Sequence, residues 1–122
     1  MADIESMGSA YRIRKCASDL LSIKDLMDDY DDPWDLMGRD LRLKSTFLFC
    51  DFKQLISHAS SEDKKKSLTD LANRLFYYIQ ELDHAIKIRS VPVTRNRCNE
   101  VAIVLQEVVA DMPEEMLINY RL

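Results

Sequence analysis

Apolar positions recur at three- and four-residue spacings along most of this chain, and in the run from Asp32 to Ser57 they fall on two sides at once. With Leu41 at zero and about 100° per residue, Trp34, Met37, Leu41, Leu48, Phe52 and Leu55 share one face of a helix. That stripe reads as core. Leu43, Phe47 and Cys50 fall near the opposite side, with Arg39, Arg42, Asp51 and Lys53 to the flanks. A helix with two apolar faces has two surfaces to satisfy. One is its own domain; the other is a partner or a further segment of the same chain.

The same periodicity predicts three more helices. The first spans about Ser6 to Met27 and carries Ile13, Cys16, Ala17, Leu20, Ile23 and Met27 on one side. The acidic run Asp28, Asp29, Asp31 and Asp32 ends it, and Asp32 followed by Pro33 reads as a cap and first helical residue for the next helix, which ends near Ser57. Ser60 with Asp63 three residues on predicts a capping-box entry to a third helix, whose stripe is Leu68, Leu71, Ala72, Leu75, Ile79, Leu82 and Ile86. The segment from Ser90 to Thr94 is the next break, with Thr94 as the predicted cap. The fourth helix carries Cys98, Val101, Ala102, Leu105, Val108, Val109 and Met112 before Pro113 closes it. Helices of roughly 19 to 25 residues, about 30 to 37 Å long, joined by short loops predict an all-α, up-down-up-down four-helix bundle over residues 1–112. Residues 113–122 form a short C-terminal tail in which Met116, Leu117, Ile118, Tyr120 and Leu122 are apolar. It is either a strap on its own bundle or a docking peptide.

Composition supports long helices. In 122 residues there are two glycines and three prolines, too few breakers for a many-turned β fold. The length suits one domain with one core, and an apolar fraction of 47% is ordinary for it. A net charge of -4 and a pI near 5.1 argue against nucleic acid or an anionic membrane as a bulk electrostatic partner. Lys64, Lys65 and Lys66 stand beside Glu62 and Asp63, and read as a solvated helix start rather than a phosphate patch. No stretch approaches the roughly 18 apolar residues needed to span a bilayer. Met1 to Ala10 is acidic and lacks an apolar h-region, so no targeting peptide is expected there. The chain is then one that stays in its compartment, or a mature form whose leader has been removed.

Candidate chemistry is sparse. Glu81-x-x-His84 has the spacing of a di-iron ligand pair, yet the second such pair is missing, because the other histidine, His58, has Leu55 three positions before it. His84 also lies opposite the Leu75 stripe, and no metal is expected. The three cysteines have no zinc-like spacing. Cys16 and Cys98 lie on core stripes, but an axial offset of roughly 12 Å exceeds the ~7 Å Cα limit of a disulfide. Both read as small buried hydrophobes, and Cys50 becomes a reactive thiol only if its stripe is uncovered. There is no nucleophile elbow and no glycine-rich phosphate loop, so neither a catalytic residue nor a cofactor or small-molecule substrate is expected. Phe76 is placed at the core margin, with Tyr77 and Tyr78 pointing outward.

The words of the sequence add to its pattern. The stretch Trp34-Asp-Leu-Met-Gly-Arg-Asp-Leu-Arg-Leu-Lys-Ser-Thr-Phe-Leu-Phe-Cys-Asp-Phe52, then Ile56-Ser57, Lys66-Ser-Leu68, Leu75-Phe76 and Leu82-Asp-His-Ala-Ile-Lys87, resembles the PsbQ family of plant thylakoid-lumen proteins. Trp34 with Asp40 to Leu43 is the most specific part. The resemblance covers roughly Trp34 to Met112 and is weaker over Ala17 to Met27. The family has a photosystem II branch, extrinsic to the oxygen-evolving centre, and a branch of PsbQ-like lumenal subunits of the chloroplast NAD(P)H dehydrogenase-like (NDH) complex. The absence of a long proline-rich arm, the residues Glu114 to Leu122 after the bundle, and the segments Phe76 to Ala85 and Val104 to Val108 are more similar to the second. That resemblance implies a non-catalytic lumenal subunit, peripheral to the thylakoid membrane, that contacts other NDH subunits and stabilises the complex and its association with photosystem I for cyclic electron flow. The alternative is a photosystem II extrinsic subunit. The docking residues expected on either reading are Leu43, Phe47 and Cys50, flanked by Arg39 and Arg42, with Met116, Leu117, Ile118 and Tyr120 of the tail.

Overall fold

The computed structural model describes the backbone of residues 4–111, and side chains from Tyr11 to Ala110 apart from Ala17, Leu21 and Val109. Helix α1 (Ile4–Leu21) runs into a 3₁₀ turn (Ser22–Asp25) and a one-turn α2 (Leu26–Asp29); α3 (Trp34–Ser57), α4 (Glu62–Lys87) and α5 (Val91–Asp111) follow. Among the described residues there is no strand. Neighbours in sequence are neighbours in space: α3 lies between α1 and α4, α4 between α3 and α5, and α1 meets α5 to close the ring. Short connections then leave only the up-down-up-down order. Pro113 and the apolar tail lie outside the described residues, as does Met112.

The core is what the 3.6-residue periodicity requires. Met37, Leu41, Leu48, Phe52 and Leu55 of α3 are buried, and so are Leu68, Ala72, Leu75, Ile79, Leu82 and Ile86 of α4. Ile13, Leu20 and Ile23 close it from the α1 side, and Cys98, Val101, Leu105 and Val108 from α5. Val104, which the sequence reading left off the α5 stripe, is also buried. Trp34, Leu71 and Cys16 pack at the margin, only partly covered.

The boundaries needed four corrections. The first predicted helix is interrupted, because residues 22–25 tighten to three residues per turn, which brings Ile23 and Leu26 to the same side of the chain. The Ser22 hydroxyl donates to the Asp19 carbonyl at 2.6 Å where the winding changes. Second, the position before α3 is held by Pro33 rather than Asp32: Pro33 is buried, sits at φ -86°, and its carbonyl accepts from Met37 N–H at 2.9 Å. Third, Ser61 caps α4 instead of Ser60, its hydroxyl accepting from Lys64 N–H at 3.1 Å. Fourth, Thr94 is not a cap. Ser90 takes that role, its hydroxyl accepting from Val93 N–H at 3.4 Å, and Pro92 is tolerated because a first-turn residue needs no N–H partner. Thr94 is thereby carried inside the helix and fully buried.

One terminus departs from the usual chemistry. At the end of α4, Arg89 N–H donates to the Ile86 carbonyl and Ser90 N–H to the Ala85 carbonyl, at 3.0 and 3.3 Å, which is the double closure of a Schellman motif. The residue at its left-handed position is Arg89, at φ 56°, where glycine is the common occupant.

Candidate docking surface

The second face of α3 splits in two once α1 lies beside it. Its flank is drawn into the bundle: Asp51 is only 8% exposed and accepts from Arg12 Nε at 2.8 Å. Lys44 Nζ bridges the Asp40 carboxylate at 2.7 Å and the Asp19 carbonyl of α1 at 3.2 Å. The centre of the face stays open, with Leu43 58% and Phe47 60% exposed and Cys50 exposed beside them. Together with Cys16, Asp19 and the Arg12, Lys15 and Lys44 side chains they line an open groove of about 340 Å³ between α1 and α3. Leu36, seven residues before Leu43 and so on the same side, extends the exposed stripe by two turns.

The groove contains two different thiols. Cys16 is half-buried, donates to the Lys44 carbonyl at 3.6 Å, and is pushed up to about 11 by loss of solvent and by the nearby Asp19 charge. It stays a protonated thiol near neutrality. Burial likewise raises the Cys98 thiol inside the core. Cys50 is the solvent-facing one. All three are free, in keeping with the axial offset expected for Cys16 and Cys98.

The expected flanking arginines part company. Arg39 is exposed beside the stripe. Arg42 turns the other way, toward α4, with Nη1 3.6 Å from Asp83 Oδ1, so it does not belong to the groove. The reason is rotational: about 100° separates successive residues, and Arg42 sits on the side of α3 that meets α4. Met116, Leu117, Ile118 and Tyr120 lie outside the described residues.

Another apolar patch was missed. Phe49, 51% exposed, stands edge-on to Phe76 of α4 at 5.6 Å with Lys53 Nζ 5.4 Å from its ring centre. Phe76 also meets the buried Phe52 at 6.2 Å, which fits its place at the core margin. The available signal was Phe49 standing next to Leu48 in a run too apolar for one stripe. Tyr77 points outward as expected, but Tyr78 is partly buried against the core, its ring edge-on to Tyr77 at 5.3 Å. His84 is exposed, and among the described residues no group of three or more histidine, cysteine or acidic side chains is placed to hold a metal. No described helix is long and apolar enough to cross a membrane.

Comparison with known proteins fits this geometry. The sequence model of the PsbQ family, described as Oxygen evolving enhancer protein 3, matches residues 1–113. The chain is 46% identical over 112 residues, 92% of its length, to the Photosynthetic NDH subunit of lumenal location 3, chloroplastic, of Arabidopsis thaliana, of which the match covers 50%. It is 36% identical to the Oxygen-evolving enhancer protein 3, chloroplastic, of Spinacia oleracea, over 85% of this chain and 44% of that protein. With Oxygen-evolving enhancer protein 3-1 of Zea mays the identity is 39% over 69% of this chain and 37% of the other. The chain thus spans about half the length, or less, of these curated relatives. A helical bundle with this core, matched from end to end of its described residues, belongs to the PsbQ (oxygen-evolving enhancer protein 3) family.

Proposed function

We propose that this protein is a non-catalytic subunit of the thylakoid lumen that is held against the chloroplast NDH complex, stabilises it, and supports its association with photosystem I for cyclic electron flow. The observation that carries this reading is the gradient of similarity: 46% identity to a photosynthetic NDH lumenal subunit, against 36% and 39% to the oxygen-evolving enhancer proteins of spinach and maize. One relative is named as a photosynthetic NDH subunit of lumenal location and the others as oxygen-evolving enhancer proteins. The protein acts on this reading as a peripheral lumenal piece whose partners are other NDH subunits.

The exposed centre of α3 supplies the contact. Leu43 and Phe47 remain largely in water and Leu36 and Phe49 are exposed, while the other large apolar residues of their helix are buried or partly buried. Covering them stabilises an interface at about 25 cal/mol per Å² before association costs. Cys50 lies at the edge of the contact and Arg39 supplies a guanidinium for an acidic rim. Met116, Leu117, Ile118 and Tyr120 add a second apolar contact.

Phe47→Asp tests the reading. The variant is expected to keep its helical circular dichroism and melting temperature, since Phe47 makes little of the core, and to lose at least tenfold in association, which is about 1.4 kcal/mol. Blue-native electrophoresis of thylakoids followed by mass spectrometry reads it. Unchanged co-migration of the folded variant removes Phe47 from the interface. Migration of the parent protein with photosystem II would assign it to the other branch.

A further inference from the structure

A small crevice lies where α4 ends beside the start of α3. There Trp34, Gly38, Arg42, Lys87 and Arg89 line a crevice of about 170 Å³. Its charged lining is Arg42, Lys87, Arg89 and the Asp35 carboxylate, and Asp83 and Asp32 stand 3.6 and 3.5 Å from the two guanidinium groups, so the local charges balance. We propose that this crevice is a receptor for a single acidic side chain of a protein partner, gripped by the guanidinium groups of Arg42 and Arg89 against the indole of Trp34. This rests on the reading that the protein works by docking, but not on which complex it joins.

The first argument is donor availability. Arg12 and Arg74 spend their donors on carboxylates at 2.8 and 2.6 Å. Arg42 and Arg89 do not. Arg42 Nη1 stands 3.6 Å from Asp83, and Arg89 stands 3.5 Å from Asp32 and 3.9 Å from Asp35, so charges face each other without a hydrogen bond. Asp83 Oδ2 pairs with Lys87 at 2.9 Å, its buried Oδ1 facing Arg42 has no hydrogen-bond partner among the described residues, and Asp35 is almost wholly in water. Two forked donors therefore line one small space without a hydrogen bond to a neighbouring carboxylate, and a guanidinium in that state can take a carboxylate in bidentate fashion.

The second argument is what the backbone does to arrange this. Arg89 occupies a left-handed position that glycine fills without strain, so the motif is built with a side chain where the turn itself needs none. Gly38 has the opposite bias: it lies inside α3, where alanine is preferred, and a Cβ there would come within 3.1 Å of Arg42 Nη1. Its missing side chain is the space in which the Arg42 guanidinium rests.

Size and charge select the occupant. The crevice is smaller than the ~300–1,000 Å³ of a small-molecule pocket, and matches one side chain. Asp32, Asp35 and Asp83 stand 3.5 to 3.9 Å from the guanidinium groups and balance the local charge, which leaves no field to attract a densely charged polyanion or an anionic lipid surface, so a single carboxylate is held only by hydrogen bonds from the guanidinium donors.

The test is an NMR titration of the whole chain, following the Arg42 and Arg89 Nε–H and the Trp34 indole N–H signals. The probes are N-acetyl-Gly-Glu-Gly-amide, its glutamine counterpart and inorganic phosphate. The glutamate peptide is expected to shift all three signals saturably, the glutamine peptide to leave them in place, and phosphate to bind more weakly than the glutamate peptide. Arg89→Gly is expected to melt about 3 °C higher because the turn is relieved, and to bind the glutamate peptide at least fivefold more weakly; Arg42→Gln weakens it similarly in a folded chain. Absence of saturation, equal response to the glutamine peptide, phosphate binding as tight as the glutamate peptide, or full affinity in the Arg89→Gly variant would each overturn the proposal. None of these outcomes bears on Phe47, whose native-gel assay stands or falls separately.

Discussion

Thr94 carries a hydroxyl into the core, fully buried and, among the described residues, without a hydrogen-bond partner. Its hydroxyl was legible as polar but its address was not, because a threonine one turn after Ser90 satisfies the same cap pattern, and only the helix's real start decides between them. Replacing it by valine keeps the branched shape and removes an unpaired polar group. Thr94→Val is expected to stabilise the protein by about 1 kcal/mol, read as a higher urea midpoint at unchanged slope. Asp51 shows the reverse: a charged residue that the sequence puts on a solvated flank is 8% exposed, yet it is tolerable there because Arg12 donates to it from α1. A single helix wheel holds no information about a neighbour's arginine. The same holds for Arg42, whose direction toward Asp83 depends on where α4 lies.

Among the elements, α3 has the most distinctive design, since it buries one stripe and leaves Leu36, Leu43, Phe47 and Phe49 in the open. Its interior glycine is the place to see design trade stability for arrangement. Gly38→Ala should gain about 0.5–1 kcal/mol of helix propensity, because the atom its Cβ meets, Arg42 Nη1 at 3.1 Å, is the far end of a long half-exposed side chain that can swing aside. Calorimetry should show the higher melting temperature, and the Arg42 Nε–H signal should move as its guanidinium leaves the crevice; a lower melting temperature would mean the guanidinium is held too firmly to yield. The helices themselves were legible because each has enough turns for a stripe to stand out over noise. The end of α3 at Ser57 was legible, but the starts of the helices were shifted by one to four residues, because Ser60 and Ser61, Asp32 and Pro33, or Ser90 and Thr94 offer competing local caps whose choice depends on the packing of the whole helix.

For the whole molecule, exposed ion pairs tie adjacent helices together, and the clearest joins α4 to α5 through two bonds from Arg74 to Glu107, at 2.6 and 3.2 Å. The Arg74 hydrogen bond holds the Glu107 carboxyl below its ordinary value of 4.5. A carboxylate whose folded pKa is depressed contributes stability above the unfolded value, and loses that contribution as pH falls through the folded one. The stability difference between the parent protein and Arg74→Gln, measured by urea unfolding, should therefore be full near neutrality and shrink as the pH drops below about 4.5. Screening by solvent keeps it small at every pH. The sequence by itself determined the class of fold, the four helical segments, almost the whole list of core residues and the family, because apolar periodicity and local word patterns are properties of one segment at a time. Only the tertiary structure decided which apolar face stays uncovered, which arginines are spent on neighbours, and where a crevice opens between α3 and the end of α4. Those outcomes depend on the relative placement of helices distant in the chain, and no single stripe encodes the surface that another helix will cover.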